Sequence, residues 1–335
     1  MLLRSLVLLI ALLTGAVAFA SKPATPWRGI HLMVSSDSDL QQLSLQLPKL
    51  SQDGVNVLIL EVDYNYQFTG RPEMADPNGV SKSGAQAFAT LCRQNKIRVI
   101  PEINCLGHQS WAKNTDTLLT QHPELDETPG LYPGNKGIYC RSYCPLHPDL
   151  GKVLFPLIDD LIDGFHSDAF MVGMDEVFLI GTPTCPRCKG IPTADLFTTA
   201  VKTLHDHVVR HKHCQMLMWG DRLLDGAATG YGEWEASEVG TSTAIDRIPK
   251  DIVMCDWHYE KMANYPSIDI FVSKGFKVWP STWKNVDAAN AFCAQAKAKN
   301  SPLVMGVLCT TWGSVKIPAL SDWPALQAVL ADWKS

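Results

Sequence analysis

The sequence predicts a single (β/α)8 TIM barrel over residues 26–335. Three observations lead there: eight short apolar runs rich in β-branched residues, segments of helical spacing between them, and no composition shift that would mark a linker. Strand–helix alternation implies a parallel sheet, and eight rounds of it imply closure. With the first 20 residues set aside, the remaining length of about 315 residues suits one barrel with long loops. An open, doubly wound sheet fits less well, because no glycine-rich phosphate loop follows the first run.

Taken in order, residues 1–20 read as a secretory leader. Arg4 supplies the positive start, residues 6–13 the apolar core, and Ala18-Phe19-Ala20 a small-x-small cleavage site. The apolar stretch is too short to span a bilayer, and Ser21 rather than Cys follows the site. A secreted or periplasmic protein, free of the membrane once the leader is removed, is therefore expected. Residues 28–34 and 55–62 form the first two strands, and residues 97–103 the third, after helical spacing at 85–95. The fourth run, 169–174, follows a helical segment at 151–165. The fifth, 215–219, follows one at 194–211. The sixth and seventh lie at 252–257 and 276–279, the eighth at 303–310 after helical spacing at 286–299, and residues 323–333 close the chain with a last helix. One large interruption, residues 104–149, is rich in Pro, Gly and Tyr. A loop of that length in a compact domain is usually functional, so it should wall one side of a cleft.

Charge and composition narrow the partners. A net charge of -5 without a basic block argues against nucleic acid or anionic membrane as partner. Ten cysteines in an exported chain favour disulfides. Cys140, Cys144, Cys185 and Cys188 could instead form a structural zinc site, with two disulfides bracing the loops as the favoured arrangement. No spacing demands a catalytic metal, and no cofactor is expected.

The ends of the strands carry the chemistry. The fourth run, AFMVGM, exits into Asp175 and Glu176, and neighbouring carboxylates in apolar surroundings resist joint ionisation. One protonated carboxyl beside one carboxylate is the equipment for cleaving a glycosidic bond. Other strand ends add Glu61, Asp63 and Tyr64, then Glu102 and His108, then Trp219 and Asp221. Asp256, Trp257, His258, Tyr259, Trp279, Trp283 and Trp312 complete the list. Rim acids suit sugar hydroxyls, and indole faces stack on the apolar face of a pyranose. The expected partner is thus a carbohydrate. Glu61 and Asp63 alternate on a strand, so either could face solvent; Glu102 reads as holding a loop through backbone N–H groups, and His108 as bonded to a carbonyl. Trp27, Trp323 and Trp333 read as packing, whereas Trp219, Trp257 and Trp312 suit a pocket.

At the acid pair the motifs resemble a known family. VGMDEV (172–177) is similar to the acid motif of glycoside hydrolase family 20, the β-N-acetylhexosaminidases, and VIPEINCLGH (99–108) resembles its second signature. MLMWGDRLL, CDWHYE and VLCTTWGS resemble its later tryptophan-bearing strand ends, in the expected order, and LILEVDYNY is nearest the single-domain hexosaminidase D-like branch. The resemblance implies a retaining, substrate-assisted hydrolysis of terminal β-linked N-acetylhexosamine. Glu176 would be the general acid and base, and Asp175 the partner of the acetamido N–H. Tyr259 would donate to the acetamido oxygen; Trp219, Trp257 and Trp312 would wall the pocket, with Asp221, His108, Glu61, Asp63 and Trp283 around it. Met171, Met174 and Asn104 depart from the family pattern, as do Ser35 and Ser36 where an Arg is usual and Gly313 and Ser314 where an acid is usual. Two alternatives stay open: a non-catalytic sugar-binding relative, and a glycosidase using Glu61 or Asp63 as nucleophile. Adjacent strand residues point opposite ways, so the acid pair must sit where the fourth strand bends.

Overall fold

A computed structural model describes residues 25–333, so the leader proposed for residues 1–20 lies outside the described residues. Eight parallel strands close into a barrel: β1 (Trp27–Met33), β2 (Val57–Glu61), β3 (Arg98–Cys105), β4 (Ala169–Gly173), β5 (Gln215–Trp219), β6 (Val253–Trp257), β7 (Lys277–Thr282) and β8 (Gly306–Thr310). Consecutive strands pair, and β1 returns to β8 through the register Trp27↔Gly306 to His31↔Thr310. The predicted barrel is therefore present. Its strands read as unbroken apolar runs because both faces are buried. Inward-facing Val57, Ile59, Ile100, Met171, Leu217, Val253 and Leu308 fill the barrel, while the alternate residues pack outward under the helices.

Outer helices follow seven of the strands: α1 (Asp37–Asp53), α2 (Lys82–Gln94), α3 (Leu150–Phe165), α4 (Thr193–His205), α5 (Pro266–Ser273), α6 (Val286–Ala298) and α7 (Pro324–Trp333). Helix α1 begins at Ser36, whose hydroxyl accepts the Asp39 amide, and ends at Gly54, a left-handed cap with φ 108°. After β5 there is no long helix, only the turns Gly226–Thr229 and Gly232–Glu235 and a 3-10 segment, Ser242–Asp246. Strand β7 runs three residues past the predicted end of the seventh run, through Pro280, Ser281 and Thr282, where a proline and two hydroxyl side chains disguised it.

The segment after β3 carries its own order. A ribbon pairs Ser110–Trp111 with Asn114–Thr115, a short helix spans Thr117–Gln121, and the buried Arg141 guanidinium ties Asn135, Asp126 and the carbonyls of Leu131 and Tyr132 together. A side chain with five donors can replace a small apolar core in such a loop. The expected disulfides are absent: all ten cysteines are buried and unpaired. Among the described residues no helix is long and apolar enough to cross a membrane.

Candidate active site

Strand β4 leaves the barrel through a run of left-handed residues, Gly173 (φ 65°), Met174 (φ 76°) and Glu176 (φ 47°), with Asp175 between the last two. A Cβ at Gly173 would run into Asn104 Oδ1, so glycine is needed twice over, for the close approach and for the positive φ. The bend breaks the alternation of a regular strand and turns both carboxylates to one side. His108 Nε2 lies 3.2 Å from Asp175 Oδ2 and 3.1 Å from Glu176 Oε2. Burial disfavours the charged imidazole, but the Asp175 charge and the two carboxylate contacts outweigh it and hold His108 well above the usual histidine range. Asp175 Oδ1 is buried without a protein partner.

Beneath the pair lies a second polar cluster. His31 Nε2, on β1, sits 3.0 Å from both Glu61 Oε2 and Glu102 Oε2, and Glu102 Oε1 accepts the indole N–H of Trp219 at 3.1 Å. Burial opposes charge on His31, yet Glu102 and then Glu61 raise it to about 10. Glu102 thus bonds side chains of β1 and β5 rather than loop amides. Asn104 donates to Glu61 Oε1 at 3.0 Å, and its backbone N–H donates to Asp63 Oδ1 at 2.8 Å. Burial and the neighbouring Glu61 charge push the Asp63 carboxyl well up.

Asp221 serves the acid pair from below. Its Oδ2 accepts the Glu176 amide at 3.0 Å and the Arg222 Nε at 2.6 Å, and its Oδ1 accepts the Trp257 indole at 3.3 Å. Burial raises it to about 6 against the pull of Arg222. Asp221 and Trp219 are 2% and 0% exposed, so in this structure both lie behind the surface rather than at it. Trp257 stacks on Tyr259 at 5.0 Å, and Trp312 donates its indole N–H to the Tyr259 hydroxyl at 2.7 Å. Trp283 packs 5.3 Å from Tyr259 and is tied to the Thr311 carbonyl. Trp279 belongs instead to the base of the barrel, edge-on to Trp27.

Sequence reasoning missed the opposite wall. Tyr139, from the long loop, meets His108, Trp111, Phe178 and Trp234 edge to face at 5.0–5.8 Å. Burial, then the Glu176 charge, pushes its phenol up. The tyrosine content of the loop was the only signal available. A cavity of about 650 Å³ is lined by Glu61, Asp63, Asn104 and His108 together with the loop residues Trp111 and Asp116; it reaches the acid pair only through His108. Burial and the Asp63 charge lift Asp116 to about 6. Residues of the long loop thus line this cavity. Among the described residues three sets of side chains are close enough to share a cation: His108 with Asp175 and Glu176, His31 with Glu61 and Glu102, and Glu127 with Cys144, Cys185 and Cys188. In the first two, imidazole and carboxylates already compensate one another. Cys140 stands apart from the third, with its sulfur 3.6 Å from the Glu176 carbonyl.

The fold has known counterparts. The family model for the glycosyl hydrolase family 20 catalytic domain matches residues 31–317. The fold is similar to that of a Flavobacterium johnsoniae chitobiase, at 19% identity and TM-score 0.68, over 93% of this chain and 48% of that one. It is also similar to a β-N-acetylhexosaminidase from Bacteroides fragilis (15%, TM-score 0.65, 93% and 66%). An exo-β-N-acetylglucosaminidase from Vibrio harveyi, solved with N-acetylglucosamine, matches at 14% identity and TM-score 0.65, over 93% and 54%. The chain thus spans about half to two thirds of the length of these structures. No curated relative matches the sequence.

Proposed function

Because the chain belongs to glycosyl hydrolase family 20, we propose that it is an exported exo-acting β-N-acetylhexosaminidase working by a retaining, substrate-assisted route. The observation that carries this reading is the meeting of Asp175 and Glu176 at one imidazole. The acetamido oxygen of the bound sugar attacks its own anomeric carbon while Glu176 protonates the departing oxygen, and Glu176 then takes a proton from the water that opens the oxazolinium-like intermediate. Asp175 Oδ1, free of protein partners, accepts the acetamido N–H and stabilises the charge developing on the ring. The Tyr259 hydroxyl already accepts from Trp312, so its own proton is available to the acetamido oxygen. Trp257 and Trp312 supply flat faces for the methyl group and the pyranose.

Recognition of the remaining hydroxyls falls to this chain's own solution. Ser36 caps α1 and Ser35 bonds Asp39, so neither reaches for sugar. Glu61, Asp63, Asn104 and Asp116 face the cavity instead and can accept or share hydroxyl protons. A protein nucleophile at Glu61 or Asp63 is disfavoured, since Glu61 is engaged by His31 and Asn104 and Asp63 by the Asn104 amide.

The test is release of N-acetylhexosamine from a natural β-linked glycan. Glu176→Gln should lower kcat by about 10²-fold or more, with partial recovery on a substrate whose aryl leaving group needs no proton. Equal turnover by wild type and variant would overturn the reading, and binding without any hydrolysis by the wild type would favour a lectin-like relative.

A further inference from the structure

We propose that Glu127, Cys144, Cys185 and Cys188 form a structural zinc site that clamps the loop after β3 to the loop after β4. All four side chains are buried, and one ligand atom from each lies within 4.8 Å of the others. Cys144 Sγ is 3.4 Å from both Cys185 Sγ and Cys188 Sγ. A disulfide would bring one pair to about 2.05 Å. Sulfurs at the corners of a zinc tetrahedron with Zn–S bonds of about 2.3 Å stand about 3.8 Å apart, much nearer to what is seen.

The fourth corner is an oxygen aimed at the sulfurs. Glu127 Oε1 accepts the Thr182 amide at 3.0 Å, and the Thr182 hydroxyl bonds the Glu127 carbonyl at 2.8 Å, while Oε2 is buried with no protein partner. A carboxylate fixed through one oxygen with the other turned inward is how a ligand is held in register for a metal. Three thiols and a carboxyl buried together with an unsatisfied oxygen have no other evident compensation. Cys185 and Cys188 lie on a tight Cys-x-x-Cys turn closed by Lys189 N to the Cys185 carbonyl and by Ile191 N to the Cys188 carbonyl, a spacing that suits two ligands of one tetrahedron. Arg187 and Lys189, exposed on that turn, offset the negative charge of the ligand set.

The site lies between the segments that aim the chemistry. Glu127 and Cys144 belong to the loop that carries His108 and Tyr139, and the Cys-x-x-Cys turn follows the acid pair within the next loop. Zinc here would hold both walls of the cleft in a fixed relation without touching substrate.

Metal analysis of the full chain, purified without added metal or chelator, should find about one zinc ion per molecule. Cys188→Ser should carry at least about tenfold less. Because that variant could fail to fold, the wild type exchanged into Co²⁺ gives an independent reading: intense d–d bands of a tetrahedral ion together with thiolate-to-cobalt charge transfer are expected. A strong chelator should lower the melting temperature of both the wild type and Glu176→Gln. Wild-type protein with no bound metal and three free thiols at these positions, or a disulfide joining Cys144 to Cys185 or Cys188, would overturn the proposal, as would cobalt spectra lacking the sulfur charge-transfer band.

Discussion

His31 shows how much one side chain can organise. Burial alone would keep its imidazole neutral, but Glu102 and Glu61 raise it to about 10, so folded His31 keeps a proton that an unfolded chain releases near 6.5. A group whose folded value is raised contributes stability that is complete below the unfolded value and disappears as pH climbs through the folded one. The melting temperature should therefore fall between pH 6.5 and 10, and His31→Gln should flatten that slope; parallel slopes for both proteins would refute the assignment. Nothing in the sequence singled out this residue. It sits at the centre of an apolar strand, and its partners lie 30 and 71 positions away, so only closure reveals the contact. Tyr139 was hidden for the same reason, whereas Asp175 and Glu176 were legible because two acids ending an apolar run violate local expectation.

At the level of elements, the exit of β4 deserves a direct test. Gly173→Ala places a methyl group against Asn104 at a backbone angle that favours glycine, and such strain costs of order 1–3 kcal/mol. The midpoint of urea unfolding should drop accordingly, and kcat should drop as well, because the turn that aims both acids must shift. A variant as stable as wild type, or a destabilised one with full kcat, would show that the turn does not set the geometry. The strands themselves were readable as apolar runs because a barrel buries both faces of each. The connection after β5 was not, since Gly226–Thr229 and Gly232–Glu235 are too short for a periodic signal. Trp234 and Glu235 reach the site region from that irregular stretch, Trp234 against Tyr139 and Glu235 against His258 at 2.6 Å.

Across the whole molecule, the lower part of the barrel serves stability and the upper rim serves chemistry. Gly29 on β1 leaves the space that Trp279 fills, and a Cβ there would collide with the indole and with Leu308. Gly29→Ala should destabilise by about 1–3 kcal/mol through overpacking, while kcat per folded molecule stays unchanged. Loss of activity beyond the loss of folded protein would contradict this division.

The cluster of His31, Glu61, Glu102 and Trp219 spans β1, β2, β3 and β5, and so joins residues from opposite sides of the barrel. The full set of contacts, His31 with Glu61 and Glu102 and Trp219 with Glu102, is complete only when all four strands are in register. A half-formed barrel would strand two carboxylates and an imidazole in apolar surroundings, and such intermediates are penalised. The same residues that underlie the cleft thereby act as a checkpoint on assembly, favouring all-or-none folding over the accumulation of partial barrels.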